Sequence, residues 1–144
     1  MSSEKEAVIS LKNVDKSFGN MVVAKNISMS VKSGEIVALL GQTGAGKSTV
    51  MNMVMGTLRP TGGEVRVAGH DPYNEFDKLR GKLAVSFQTD RLLPWRTTVE
   101  NTELGLLILG VPAKEARERA LTWLKRVKLD GAENKYPHEL SGGM

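Results

Sequence analysis

The sequence predicts an α/β fold in three parts: an antiparallel β layer first, then a strand, glycine loop and helix, then a helical layer. Three observations carry that expectation. Strand-like apolar patterning recurs at Ala7 to Leu11, Met21 to Ala24 and Ile27, Met29 and Val31, the mark of a strand-rich layer. The apolar run Glu35–Leu40 opens directly onto the glycine-rich stretch Gly41–Thr49. From Thr97 onward the apolar residues recur at helical spacing.

The elements follow in order. Ala7 to Leu11 and Met21 to Ala24 read as strands, and Ile27, Met29 and Val31 share one face with Ser28 and Ser30 opposite. Lys32-Ser33-Gly34-Glu35 reads as a turn into a buried strand over Glu35–Leu40. A helix is expected from Lys47 to about Met55, with Val50, Met51, Val54 and Met55 as its apolar face and Gly56 near its end. Arg59-Pro60-Thr61-Gly62-Gly63 is a turn, Glu64 to Val67 a short strand ending at Gly69, and Leu83–Phe87 a further buried strand. Thr97 and Glu100 have capping-box spacing, which predicts a helix from Thr98 to about Leu109. Gly110-Val111-Pro112 breaks it. The next helix carries Ala113, Ala116, Ala120, Leu124 and Val127 on one stripe, with Pro112 at its first position, Glu115 in its first turn and Trp123 packed in the layer.

The 144 residues suit one domain, read as about 1–88 for the β layer and loop core and about 89–144 for a helical subdomain. The net charge of +4 comes from dispersed Lys and Arg, which fits solvated helix faces better than a nucleic-acid footprint. With no cysteine there is no disulfide framework, in accord with a reducing cytoplasm. The first residues lack the apolar stretch of a signal peptide. Leu104 to Val111 is the longest greasy run, against the roughly 20 apolar residues a membrane span needs.

Gly41-Gln42-Thr43-Gly44-Ala45-Gly46-Lys47-Ser48-Thr49 fits G-x-x-x-x-G-K-[ST], the phosphate-binding loop of nucleotide-binding proteins. Its glycines let the chain curl so that successive N–H groups point at phosphate oxygens, and the following helix turns its positive end to the same anion. Lys47 adds a mobile cation for the β- and γ-phosphates. Ser48 is placed to offer its hydroxyl to Mg2+, and Thr49 to reach an inner phosphate.

With Lys16-Ser17-Phe18-Gly19, Val85-Ser86-Phe87-Gln88 and Leu140-Ser141-Gly142-Gly143-Met144 in that order, the chain resembles the first part of an ATP-binding cassette (ABC) ATPase, the motor subunit of ABC transporters. The resemblance implies a P-loop NTPase fold and ATP with Mg2+ as cofactors. It implies that Phe18 stacks on adenine, although the residue by itself also reads as a core strand side chain. It gives Gln88 and Lys47 catalytic roles, with Gln88 joining Ser48 at the metal or orienting water. A neutral amide can donate and accept, which suits a position that changes partners. Ser141, Gly142 and Gly143 resemble a second anion site facing ATP on the opposite subunit, which implies a head-to-tail dimer.

The stretch Gln88–Asn101, with Tyr136-Pro137-His138-Glu139, is similar to the nitrate, sulfonate and taurine group of importers. Leu92, Leu93, Pro94 and Trp95 form an apolar knob that reads either as a dock for a transmembrane permease subunit or as an anchor into the chain's own helical layer. The implied location is the cytoplasmic face of the membrane. The family's Asp-Glu pair and following histidine come after the signature, so the second half of the core and its catalytic carboxylates lie outside these 144 residues; Asp71, Asp77, Asp130, His70 and His138 do not replace them. In the family's sheet, strands from that second half separate the Leu83–Phe87 and Glu35–Leu40 strands. The resemblance is read as the ATP-binding part of an importer ATPase, with two alternatives: a cytosolic ABC ATPase without a membrane partner, against which the Leu92–Trp95 knob argues, and a nucleotide-binding remnant without catalysis.

Overall fold

The computed structural model describes residues 7–89 and 91–141. The chain falls into two compact units, Met1–Ala84 and Val85–Met144, and each is described by itself.

The first unit is built on a three-stranded antiparallel sheet ordered β2-β1-β3, with β1 at Ala7–Phe18, β2 at Met21–Lys32 and β3 at Gly62–Val67. The separate strand signals at 21–24 and 27–31 are one strand. Gly19, at φ 57°, makes the short turn between β1 and β2, where Phe18 pairs with Met21. Leu11 and Val14 are both buried although three residues apart, which strict alternation would forbid. A register shift between them absorbs the extra residue, with Asn13 at φ 47° and its N–H donating to Ser28 Oγ at 2.9 Å.

Helix α1, Lys47–Val54, closes the core. Val50, Met53 and Val54 pack with Leu11, Val14, Val65, Val67 and Leu79. Val50 and Val54 of the expected face are buried and Met55 is half-buried, but Met51 is not part of the face. Met53 is buried where Met51 was expected, and Met51 is exposed, because the sheet takes the i, i+3, i+4 set that starts at Val50. A 3₁₀ turn at Phe76–Leu79 places Leu79 under the sheet.

Two expected buried strands are absent. Residues 35–40 and 83–87 have no ladder partner among the described residues, and Ile36, Leu40, Val85 and Phe87 are exposed, Leu40 by 91%. Only Leu39 and Leu83 reach the core. An apolar run becomes a buried strand only when neighbouring strands satisfy its backbone and layers cover both faces, and the three-strand sheet here supplies neither.

The second unit packs helix α2, Thr98–Ile108, against helix α3, Ala113–Arg126, around Val99, Ala120 and Leu124, with Leu129 at its margin. The capping box forms as its spacing predicts: Thr97 N donates to Glu100 Oε2 at 2.7 Å and Glu100 N to Thr97 Oγ1 at 3.4 Å. The next N–H groups of α2, on Thr98 and Val99, donate to the carbonyls of Lys135 and Glu133. Pro112 is the N-cap of α3 and not its first helical residue. On α3 the stripe narrows to Ala116, Ala120 and Leu124; Val127 is exposed, and Trp123, 54% exposed, lies against Arg126 with its guanidinium 4.3 Å from the ring centroid. An exposed indole beside a cation is stable without a core position.

Candidate functional site

The glycine loop is shaped by its own backbone. Ala45 N donates to Gln42 O at 3.1 Å, and Gly44 and Gly46 take φ of 85° and 83°, a region that L side chains avoid. Gly46 is also the N-cap of α1. No side chain caps that end and no acidic residue occupies its first turn, so its leading N–H groups face an incoming anion. The Lys47 ammonium folds back over the loop, donating to the carbonyls of Gly41 and Gln42 at 2.7 Å each. Those two bonds hold the cation at the loop's mouth. Ser48 is exposed beside it.

The β1–β2 hairpin forms the opposite wall. Phe18, Met21, Val22 and Val23 line a cavity of about 610 Å³ together with Thr43, Gly44 and Gly46–Thr49. That volume lies within the range of small-ligand pockets, about 300–1,000 Å³. Phe18 is 48% exposed at its edge; it is not a core residue. A Cβ on Gly46 would stand 2.7 Å from the Val23 carbonyl oxygen, so loop and hairpin touch at backbone level. An aromatic and apolar wall thus faces a cradle of N–H groups and one cation, an arrangement that takes a ligand flat at one end and polyanionic at the other. No Asp or Glu lines this cavity among the described residues.

Gln88 and Ser141 belong to the second unit, where both are exposed outside helices and strands. Gly142 and Gly143 of the expected second anion site lie outside the described residues. Phe87, before Gln88, is covered by Arg91, whose guanidinium stands 5.2 Å from its ring centroid. The knob is a tight turn: Arg96 N donates to Leu93 O at 3.1 Å, and Leu92, Pro94 and Trp95 are exposed, Trp95 by 70%.

Asn101 holds that turn, a role the sequence reading did not assign. Its Oδ1 accepts from Leu93 N at 2.8 Å, and its Nδ2 donates to the carbonyls of Leu93, Arg96 and Thr97 at 3.0–3.1 Å. An asparagine on the first turn of a capped helix, following a proline turn, is the sequence signal for such a clamp. Leu92 also lines an apolar cavity of about 300 Å³ with Thr98, Thr102, Trp123, Val127 and Leu140.

Charge in the first unit is organised away from the cavity. Glu75 gathers Lys78 Nζ at 2.6 Å, Arg66 at 3.7 Å and His70 Nδ1 at 3.8 Å, and its Oε2 accepts from Asp71 N. The Lys78 hydrogen bond, and then the one from Asp71 N–H, lowers its carboxyl to about 2. In the second unit the Thr97 N–H holds Glu100 below the usual carboxylate range. Glu103 is buried on α2 with Oε2 2.8 Å from Arg117 Nε, close enough to balance its charge although the approach is not aligned as a hydrogen bond.

The strand layer, the glycine loop opening a helix and the cavity between them define a P-loop protein of the α/β class. A profile of the ABC transporter family matches residues 24–144, and the chain belongs to that family. It is 41% identical over 145 residues to the methionine import ATP-binding protein MetN 2 of Enterococcus faecalis, covering 95% of this chain and 42% of that protein. It is 39% identical over 147 residues to the Fe(3+) ions import ATP-binding protein FbpC of Brucella suis, covering 99% and 40%. The chain therefore spans about two fifths of the length of these relatives. Among solved structures it is similar to a bacterial ABC transporter cassette in dimeric form, with a TM-score of 0.78 and 33% identity over 94% of this chain and 64% of that one. The fold is that of the ABC ATPases.

Proposed function

We propose that this chain is the ATP-binding portion of the motor subunit of an ABC importer. The observation that carries the reading is the cavity of about 610 Å³ that Phe18 lines together with the loop residues Thr43, Gly44 and Gly46–Thr49. Adenine would lie against Phe18, Met21 and Val22, with the triphosphate on the N–H groups of the loop and on Lys47. Mg2+ fits the donor set at the start of α1, where the exposed Ser48 hydroxyl is a hard oxygen ligand beside the phosphates; bound there, the ion neutralises charge on the β- and γ-oxygens. Gln88 is the candidate second ligand or water-orienting group. Ser141, Gly142 and Gly143 are the candidate contacts to a nucleotide on a second ATPase subunit in a head-to-tail dimer.

The Leu92, Leu93, Pro94 and Trp95 turn is the proposed seat of a transmembrane permease subunit, which would hold the protein at the cytoplasmic face of the membrane. Its exposure and the Asn101 clamp support that role. For the solute, the Gln88–Asn101 stretch favours a small anion of the nitrate, sulfonate or taurine kind. The curated relatives are import proteins for methionine and Fe(3+), so the solute reading rests on that stretch and on Tyr136-Pro137-His138-Glu139, while the relatives support the importer class.

Calorimetry with Mg-ATP on this chain and its Lys47→Ala variant tests the proposal. Losing a charge-assisted contact is worth roughly 1.5–3 kcal/mol, so the variant is expected to bind tenfold or more weakly. Equal affinities would remove the basis of the reading.

A further inference from the structure

We propose that Lys16 positions the Phe18 ring and so lets this chain prefer a nucleotide over a bare triphosphate; this rests on the reading of Phe18 as the face for the base. The Lys16 ammonium stands 4.8 Å from the Phe18 ring centroid and donates to Arg59 O at 2.8 Å. That second bond makes the cation a fixed strut. The turn bearing Arg59 is itself clamped to β1, because Thr61 N and Thr61 Oγ1 both donate to Asp15 O and Ser17 N donates to Thr61 Oγ1. Phe18 lines the cavity and Lys16 is not part of that lining; on this proposal the ammonium stands behind the ring and leaves its other face to the ligand.

Phe18 needs such support. It ends β1 at the hairpin turn, half exposed, with no packed core to hold its plane. A cation behind the ring holds that plane by attraction to the π face. It also draws electron density from the face that remains free, which favours an offset-stacked purine there. Holding the ring before the ligand arrives lowers the ordering cost of binding. Because the contact acts through the ring, it adds nothing for a ligand that has no base.

The test is calorimetry on the full chain with Mg-ATP and with Mg-tripolyphosphate, comparing the unaltered protein with Lys16→Met, Lys16→Gln and Lys16→Arg. The neutral variants should weaken Mg-ATP about two- to fivefold, the worth of an exposed cation–π contact. Tripolyphosphate affinity should not change, and Lys16→Arg should restore ATP binding. In a Phe18→Leu background Lys16→Met should have no further effect on ATP. An equal loss for both ligands, no loss for either, or a loss that persists without the Phe18 ring would overturn the proposal. An unaltered chain that binds tripolyphosphate as tightly as ATP refutes the base-stacking role of Phe18 and this inference with it, and one that binds neither refutes the nucleotide reading itself.

Discussion

Replacing Gly46 by alanine, with Gly44→Ala as its control, isolates the contact that sets the width of the candidate nucleotide cavity. Both glycines have nearly the same backbone, at φ 83° and 85°, so both variants carry the left-handed strain of an L residue, about 1–2 kcal/mol. Reduced freedom of the unfolded chain returns about 0.4–1 kcal/mol in each case. Their surroundings differ. A Cβ at Gly44 meets nothing within 4 Å, whereas at Gly46 it stands 2.7 Å from the Val23 carbonyl oxygen and 3.6 Å from Val23 Cγ1. That oxygen is backbone of β2 at the register shift where Lys16 pairs with Ala24 and Ser17 with Val22, so either the loop or this irregular part of the hairpin must retreat. Forcing a methyl into such a contact costs about 1–3 kcal/mol. Gly46→Ala should therefore be less stable than Gly44→Ala by about that amount in urea unfolding followed by circular dichroism, and Mg-ATP affinity should fall with it as Phe18 and Lys47 move apart. Equal midpoints and slopes for the two variants would show that loop and hairpin yield freely, and the argument from the Val23 contact would fail.

The Glu75 cluster makes an acid prediction. Its carboxyl lies at about 2 against an ordinary 4.5, so the stabilisation is complete above pH 4.5 and disappears as pH falls through 2; Glu75→Gln should flatten the melting temperature profile between pH 5 and 2, and parallel profiles would contradict the assignment. At the knob, Leu92, Leu93 and Trp95 changed to serine in the complete subunit should abolish co-sedimentation with membranes and crosslinking to a permease while Mg-ATP binding persists. Asn101→Ala, which loosens the turn but keeps its side chains, should weaken association in the same direction, and unfolding of the serine variant would instead assign the knob to its own unit.

The legible parts of the fold are those whose cause lies within a few residues. The capping box of Thr97 and Glu100, the break at Gly110-Val111-Pro112 and the turn over Lys32–Glu35 each satisfy backbone groups locally, and each forms. The phosphate loop is legible for the same reason, since glycine at positions 44 and 46 is required by the backbone there. Burial was less legible. Whether Met51 or Met53 faces inward depends on how α1 is rotated on the sheet, and whether Trp123 packs or lies out against Arg126 depends on what covers α3. The Lys16 strut was not read because it joins segments 43 residues apart whose proximity is tertiary; the Asn101 clamp spans at most eight residues and carried a local signal that went unused.

The same distinction explains what holds the candidate site in place. The apolar run before Gly41 has no ladder partner among the described residues, and Ile36 and Leu40 stand in solvent. A strand paired on both sides would normally fix the entry to a phosphate loop. Here the loop is held from its other end, where Val50, Met53 and Val54 anchor α1 on the sheet. Across the loop the two Lys47 bonds to Gly41 and Gln42 tie entry to exit, and Gly46 rests against Val23. Lys47 therefore acts twice, as the cation for a phosphate and as the tie that keeps the unpaired entry segment in register with the helix. Its loss should weaken binding through both routes, which makes the expected tenfold a lower bound, and the second route should appear as a lower unfolding midpoint with no ligand present.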